Sequence, residues 1–301
     1  MQSVGNIALA EELRRRGIRP SRKLGQNFMI DRAMLDFIVK ASGVDAGDIV
    51  LEVGTGAGFL TERLCQKALW VVSVEIDRGL YELSLERLAP FPNLTLVHAD
   101  ALGASHRWGA DVVQAVAAAR ERASGAALRL VANLPYSAAT PIVQAVLEGE
   151  GATEFAGALF TCQKEVAGRL LAGPGTDAFG YISVLSALLA DRKLVKTLGP
   201  GVFWPKPKVD SAIVEITPSA EKRALAGDLQ NLRRVVSVLL TQRRKRLITV
   251  MKAADIDDYD IIRVGERLSL MGIPLEERVF RLPVEAFRDI AGAVSMRPDS
   301  R

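Results

Sequence analysis

Leu51-Glu52-Val53-Gly54-Thr55-Gly56-Ala57-Gly58 continues an apolar run that begins at Ile49 and leads into the helical spacing of Phe59 to Lys67. A short buried strand, three alternate glycines and a helix in succession point to an open α/β sheet, where ligands bind beyond the carboxyl ends of the strands. Glycine at these positions permits a tight turn and lets a ligand approach the backbone. The dinucleotide fingerprint requires a further glycine where this chain has Phe59, so a nicotinamide cofactor is disfavoured.

The same alternation extends outward from this loop. Ile49 to Val53, Trp70 to Val74, Leu94 to Val97, Leu128 to Ala132 and Ala156 to Thr161 read as short buried strands. Between them, Phe59 to Lys67, Arg78 to Leu88, Asp111 to Arg122 and Pro141 to Leu147 carry helical spacing, which predicts a parallel sheet covered by helices on both faces. Helical stretches at Lys164 to Leu171 and Ile182 to Ala190 follow, then an alternating strand at Ser211 to Thr217. Beyond Pro218 the spacing is helical throughout, at Leu229 to Ala254, Asp260 to Met271 and Val284 to Ala291. The expected organisation is an α/β domain over 1–218, opened by a basic arm over 1–30, and a small all-helical domain over 219–301.

Composition narrows the class. The chain has 301 residues, 49% hydrophobic and 25% charged, as in an ordinary globular protein large enough for two cores. No apolar run approaches the roughly 20 residues that span a bilayer, and the basic stretch Arg14 to Lys23 has Glu11 and Glu12 beside it, unlike a transit peptide. A cytoplasmic protein with no membrane partner is expected. Cys65 and Cys162 lie far apart among apolar neighbours, as buried free thiols do, and His98 and His106 have no supporting ligand pattern, so no metal is expected. Two basic blocks stand out: Arg14 to Lys23, which includes Arg22, and Arg243-Arg244-Lys245-Arg246. With a pI near 9.1 they suit a polyanion, although a solvated helix face is the plainer account of either block alone.

Polar groups recur where strands end. Glu75 closes the second strand, where a carboxylate can accept from both hydroxyls of a ribose; Asp100 follows the third and can accept from an adenine amine. A helix N-terminal charge and a helix cap are their structural alternatives. Asn133-Leu134-Pro135-Tyr136 ends the fourth strand with an amide, a proline and an aromatic ring, suited to a flat nucleobase, or else simply a proline turn.

Four motifs occur in order: Lys23-Leu24-Gly25-Gln26-Asn27-Phe28-Met29-Ile30-Asp31, Ala132-Asn133-Leu134-Pro135-Tyr136, Gln163-Lys164-Glu165-Val166 and Phe203-Trp204-Pro205-Lys206-Pro207-Lys208-Val209-Asp210-Ser211. With the glycine loop, Glu75 and Asp100, the chain resembles the Rossmann-like S-adenosylmethionine-dependent methyltransferases, and within them the rRNA adenine N6-dimethyltransferase family, from about Ser21 to Ile290. The branch resembled is the one that acts on small-subunit (16S) rRNA. The resemblance implies S-adenosylmethionine as cofactor and dimethylation of adenine N6 in the assembling small subunit, by a protein expected to be monomeric. It implies that Asn27 and Met29 close over the cofactor, Gly54 lies against its methionine part, Glu75 holds the ribose and Asp100 the adenine, with Gln26, Gly56, Gly58, Ile76 and Ala101 in the same site. Asn133 would sit between cofactor and target, its side-chain oxygen and the Leu134 carbonyl accepting from the target amine, with Pro135 fixing the backbone. Tyr136 and Phe203 would stack on opposite faces of the base, which must be unpaired or flipped out. RNA phosphates are expected at Arg22, Lys23, Lys206, Lys208, Arg243 and Arg244.

The chain departs from the family at Thr55, where proline is usual, at Ala132, where glycine is usual, and at Ser137-Ala138-Ala139, which replaces a more polar Asn-Ile-Ser. Two other functions fit the same motifs. One is the large-subunit (23S) adenine N6-methyltransferase, which commonly has isoleucine where this chain has Leu134. The other is a nucleic-acid-binding factor on this fold without methyl transfer, against which intact Glu75, Asp100 and Asn133 argue.

Overall fold

A computed structural model describes residues 4–21, 24–103, 107–149 and 153–295, with only the backbone described over 4–8. The strands are β1 (Phe28–Met29), β2 (Asp48–Val53), β3 (Trp70–Glu75), β4 (Leu94–His98), β5 (Ala127–Asn133), β6 (Gly157–Gln163), β7 (Ala190–Leu198), β8 (Phe203–Trp204) and β9 (Ser211–Pro218). The helices of the first two thirds are α1 (Val4–Arg15), α2 (Arg32–Ala41), α3 (Phe59–Cys65), α4 (Arg78–Leu88), α5 (Ala110–Arg122), α6 (Ala139–Leu147), α7 (Lys164–Leu171) and α8 (Tyr181–Leu189). The remainder forms α9 (Ala220–Ala226), α10 (Leu229–Thr241), α11 (Leu247–Ala253), α12 (Asp258–Ser269) and α13 (Val284–Ala293).

A seven-stranded sheet runs in the order β4-β3-β2-β5-β6-β9-β7, and β1 pairs with β8 in a separate two-stranded ladder. β2, β3, β4, β5 and β6 are parallel, as crossover helices require, whereas β9 is antiparallel to β6. The strand order reverses beside β2, flanked by β3 and β5, and this switch opens a crevice at the strands' carboxyl ends. Strands buried on both faces explain the unbroken apolar runs: every residue of β2 is buried, and Val50, Val71, Val131, Leu159 and Ile213 share one core with Leu35 and Ile38 of α2 and Leu64 of α3.

The chain divides into two compact units, residues 1–167 with 193–217, and residues 168–192 with 218–301. The division at 217/218 lies one residue from the expected one, while residues 168–192, expected within the α/β domain, group with the helical unit. α8 is apolar nearly all round, with Ile182, Val184, Leu185, Leu188 and Leu189 buried, and it packs with α9, α10 and α13 of the helical unit. Within that unit Leu232, Val235, Val236 and Leu239 make the buried stripe of α10, Phe179 meets Phe287 at a ring separation of 6.2 Å, and the Asn231 amide donates to the Ala291 and Val294 carbonyls (2.7 and 2.6 Å) at the end of α13.

Three sequence expectations change locally. The stretch Leu229 to Ala254 is two helices, interrupted over 242–246, because the carbonyls of Arg243 and Lys245 accept from the amides of Phe280 and Val279 instead of continuing a helical ladder. β7 lies where no strand was expected: Lys193, Leu194 and Lys196 are exposed on this sheet edge while Leu198 is buried, so no apolar alternation marks it. Within the expected basic arm, α1 buries Leu9 and Leu13 against Phe28, Leu80 and Leu83.

Candidate functional site

The glycine loop turns away from β2 with φ of 87° at Gly54, 58° at Gly56 and 76° at Gly58, left-handed values that glycine adopts without a Cβ clash. The Gly54 amide donates to the Val74 carbonyl (2.8 Å), which ties the loop to β3. A Cβ on Gly54 would stand 3.6 Å from the Pro135 ring and one on Gly56 3.2 Å from the Phe28 ring, so the absent side chains leave a cradle between the loop, the turn after β5 and β1.

Glu75, at the end of β3, is 5% exposed. The Gly56 amide donates to its Oε2 (2.8 Å) and the Asp77 amide to its Oε1 (2.9 Å), so the carboxylate is aimed by the loop it serves. Burial raises its pKa and the amides of Asp77 and Gly56 pull it back down. Asp100, beyond β4, is exposed and accepts the Leu102 amide on Oδ1 (3.0 Å).

Asn133 closes β5 in register with Thr161 of β6. Its amide nitrogen donates to the Asn27 carbonyl (2.9 Å), and its Oδ1 accepts from the Thr161 hydroxyl. The Leu134 amide donates to the Thr161 carbonyl (3.2 Å) and the Ala138 amide to the Pro135 carbonyl (3.0 Å), so the tetrapeptide is a fixed turn. The Tyr136 and Ser211 hydroxyl oxygens lie 2.8 Å apart, and burial holds the phenol pKa above its ordinary value, so Tyr136 is a neutral ring with a tethered edge.

These groups surround one cavity of about 220 Å³. Of the expected residues it is lined by Gln26, Asn27, Gly54, Gly56, Glu75, Ile76, Asp100, Ala101 and all of Asn133 to Tyr136. Gly58 does not line it but caps α3 with its amino-terminal turn. Met29 and Phe203 also lie outside it: they pair across the β1–β8 ladder and are both 3% exposed in the sheet core, while the alternate residues Phe28 and Trp204 stack on each other at 6.2 Å. Phe203, expected to stack on a target base, packs here in the sheet core. Phe28, not assigned from sequence, does line the cavity. Gly25 does too, and a Cβ there would come within 3.1 Å of the Tyr136 amide nitrogen; its place in the motif between Leu24 and Gln26 was the available signal.

Behind the loop lies a buried polar chain that sequence reasoning also missed. Glu52, 1% exposed, accepts on Oε2 from the Thr61 hydroxyl (2.6 Å) and the Ser73 hydroxyl (2.7 Å), and Ser73 Oγ lies 2.6 Å from Thr55 Oγ1. Burial pushes the Glu52 pKa up to about 8 against those hydrogen bonds. A charged residue inside the run Leu51 to Val53 was its signal. Both cysteines are buried, with thiol pKa values pushed up to about 12 by burial, and stay unreactive.

The basic candidates divide. Lys206 and Lys208 are exposed on the loop that ends at Ser211. Arg22 and Lys23 lie outside the described residues. The Arg243 guanidinium donates to the Phe179 carbonyl and to the Asp177 carbonyl (2.9 Å), which makes it a brace within the helical unit; the Arg244 side chain is 76% exposed, 3.9 Å from Asp177. Among the described residues no group of three or more His, Cys, Asp or Glu could hold a metal, and no helix is long and apolar enough to cross a membrane.

Sheet order, glycine cradle and a buried acid at the end of β3 define a Rossmann-like S-adenosylmethionine-dependent methyltransferase. The chain matches the family described as Ribosomal RNA adenine dimethylase over residues 18–267, and it belongs to that family. It is 39% identical over 252 residues to the Ribosomal RNA small subunit methyltransferase A of Magnetococcus marinus, covering 84% of this chain and 85% of that protein. To the protein of the same name from Caldanaerobacter subterraneus subsp. tengcongensis it is 34% identical, covering 92% and 98% of the two chains. Among solved structures, a dimethyladenosine transferase from Plasmodium falciparum shares the fold with a TM-score of 0.67 at 22% identity, covering 88% of this chain and 98% of that one. The 23S rRNA methyltransferase ErmE has a TM-score of 0.64 at 25% identity, covering 89% and 99%.

Proposed function

We propose that this enzyme transfers methyl groups from S-adenosylmethionine to the N6 of adenines in small-subunit rRNA, giving N6,N6-dimethyladenosine, and that it does so in the cytoplasm on the assembling subunit. The observation that carries the reading is Asn133-Leu134-Pro135-Tyr136 held as a fixed turn in the same cavity as Glu75 and the glycine loop. The names of the relatives at 39% and 34% identity favour small-subunit rRNA over the large subunit.

The residues present fit the cofactor. Gly54 and Gly56 leave the space a Cβ would fill, and Glu75 offers a ribose the lone pairs its two amide bonds leave over. Ile76 and Ala101 form apolar flanks for an adenine ring, with Asp100 at its edge. S-adenosylmethionine, when bound, supplies an electrophilic methyl on a positively charged sulfur that leaves as a neutral thioether.

The remaining task falls to positioning. The N6 lone pair of adenine is delocalised into the ring, so the amine must be held in tetrahedral geometry toward the methyl. Asn133 Oδ1 and the Leu134 carbonyl accept its hydrogens, and Tyr136 stacks on the base. In-line placement of this kind accelerates a displacement without a general base. Lys206, Lys208 and Arg244 provide phosphate contacts, as Arg22 and Lys23 do in the segment before Gly25. Incubating the protein with purified small and large subunits and methyl-labelled cofactor tests the reading: label is expected in small-subunit RNA, and label confined to large-subunit RNA refutes it.

A further inference from the structure

Thr161 does not line the cavity, yet it holds the Asn133 turn twice. Its carbonyl accepts the Leu134 amide (3.2 Å), and its hydroxyl, on a residue 2% exposed, donates to Asn133 Oδ1. The Asn27 carbonyl can only accept, so it faces the Asn133 amide nitrogen, 2.9 Å away. One donor and one acceptor on opposite sides of the Asn133 amide leave it a single orientation. A carbonyl oxygen has two lone pairs, so with the hydroxyl on one the other remains for an incoming amine. Without the hydroxyl, the amide would be anchored on one side only, by the segment over the cofactor.

We propose that Thr161 is a positioning residue for methyl transfer, fixing the Asn133 side-chain oxygen toward the adenine amine through its hydroxyl. This rests on the assignment of Asn133 to the target amine. Thr161→Val keeps the volume and β-branching and removes the donor. It should lower kcat by about 10-fold, the scale expected when a reacting group is slightly misaligned. The KM for RNA and the affinity for S-adenosylhomocysteine should stay within about twofold of wild type, because no cavity wall has changed. Thr161→Ser, which restores the hydroxyl, should recover most of kcat. Thr161→Ser against Thr161→Ala, which differ by one oxygen, decides the matter if the valine variant does not fold. A valine variant with wild-type kcat, or a loss seen in cofactor affinity instead of kcat, or a serine variant as impaired as alanine, overturns the inference. Asn133→Ala assayed alongside separates the two claims: if it turns over normally the Asn133 assignment itself fails, and if it is inactive while Thr161→Val is not, only the role of Thr161 fails.

Discussion

At the scale of single residues, the proposed function divides the work of the site between Asn133 and Glu75. Asn133→Ala should lower kcat on the order of 100-fold, the range for removing one polar group aimed at a reacting centre, while RNA binding in a filter assay is kept. Lost RNA binding with normal turnover contradicts the role. Glu75→Gln tests the other group. Both Glu75 oxygens accept backbone amides, so an amide at this position sets a donor against a donor. Calorimetry should show cofactor affinity weakened by ~10-fold or more, and unchanged affinity would leave Glu75 a structural acid. Glu75, Asp100 and Asn133 were legible as candidates in sequence because each stands at or just beyond the end of a strand. The burial of Phe203 was not legible: a motif gives an aromatic residue but not the phase of a two-residue strand, and in that ladder the phase sends Phe203 to one core and Trp204 to the other, against Phe28.

At the scale of elements, the loop after β2 and the turn after α10 show opposite uses of local sequence. The loop was readable because positive φ demands glycine, and Gly54→Ala should cost about 1–2 kcal/mol in chemical denaturation and weaken the cofactor as well. Full stability with full affinity would mean the turn tolerates a side chain. The basic turn was misread, because apolar spacing on both sides of Arg243 to Arg246 suggests one continuous helix, and the bonds that replace the helical ladder come in part from the distant segment 277–280. Arg243→Ala should therefore lower stability by about 1–2 kcal/mol, chiefly by orphaning the carbonyl of the buried Phe179. Arg244→Ala should leave stability intact and flatten the salt dependence of RNA binding by about one unit of slope. The reverse pattern would exchange the roles of the two arginines.

At the scale of the whole molecule, the parallel sheet was legible from its apolar runs, and so was the division near residue 218, but the grouping of residues 168–192 with the helical unit was not. The affiliation of α8 depends on which surface its apolar girdle meets, which is a tertiary fact. The buried carboxyl of Glu52 also has a global consequence. Its pKa moves from 4.5 in the unfolded chain to about 8 in the fold. Between those values the folded state binds more protons than the unfolded, so the stability it carries is whole below about 4.5, falls as pH rises and levels off above about 8. At about 1.4 kcal/mol per pKa unit the loss is about 2–5 kcal/mol. Urea denaturation of wild type and Glu52→Gln at pH 5.5 and pH 8.5 should show the variant gaining on wild type at the higher pH, and parallel curves would exclude a neutral Glu52.

The central claim is dimethylation of small-subunit adenines at the cavity bounded by the glycine loop and Asn133-Leu134-Pro135-Tyr136. Its most direct test is nucleoside analysis of RNA from under-methylated small subunits after incubation with the protein and labelled S-adenosylmethionine. The account predicts label in N6,N6-dimethyladenosine, absent when Asn133→Ala replaces the wild type. Label in any other nucleoside, or none in RNA from a preparation that binds S-adenosylhomocysteine normally, would contradict it.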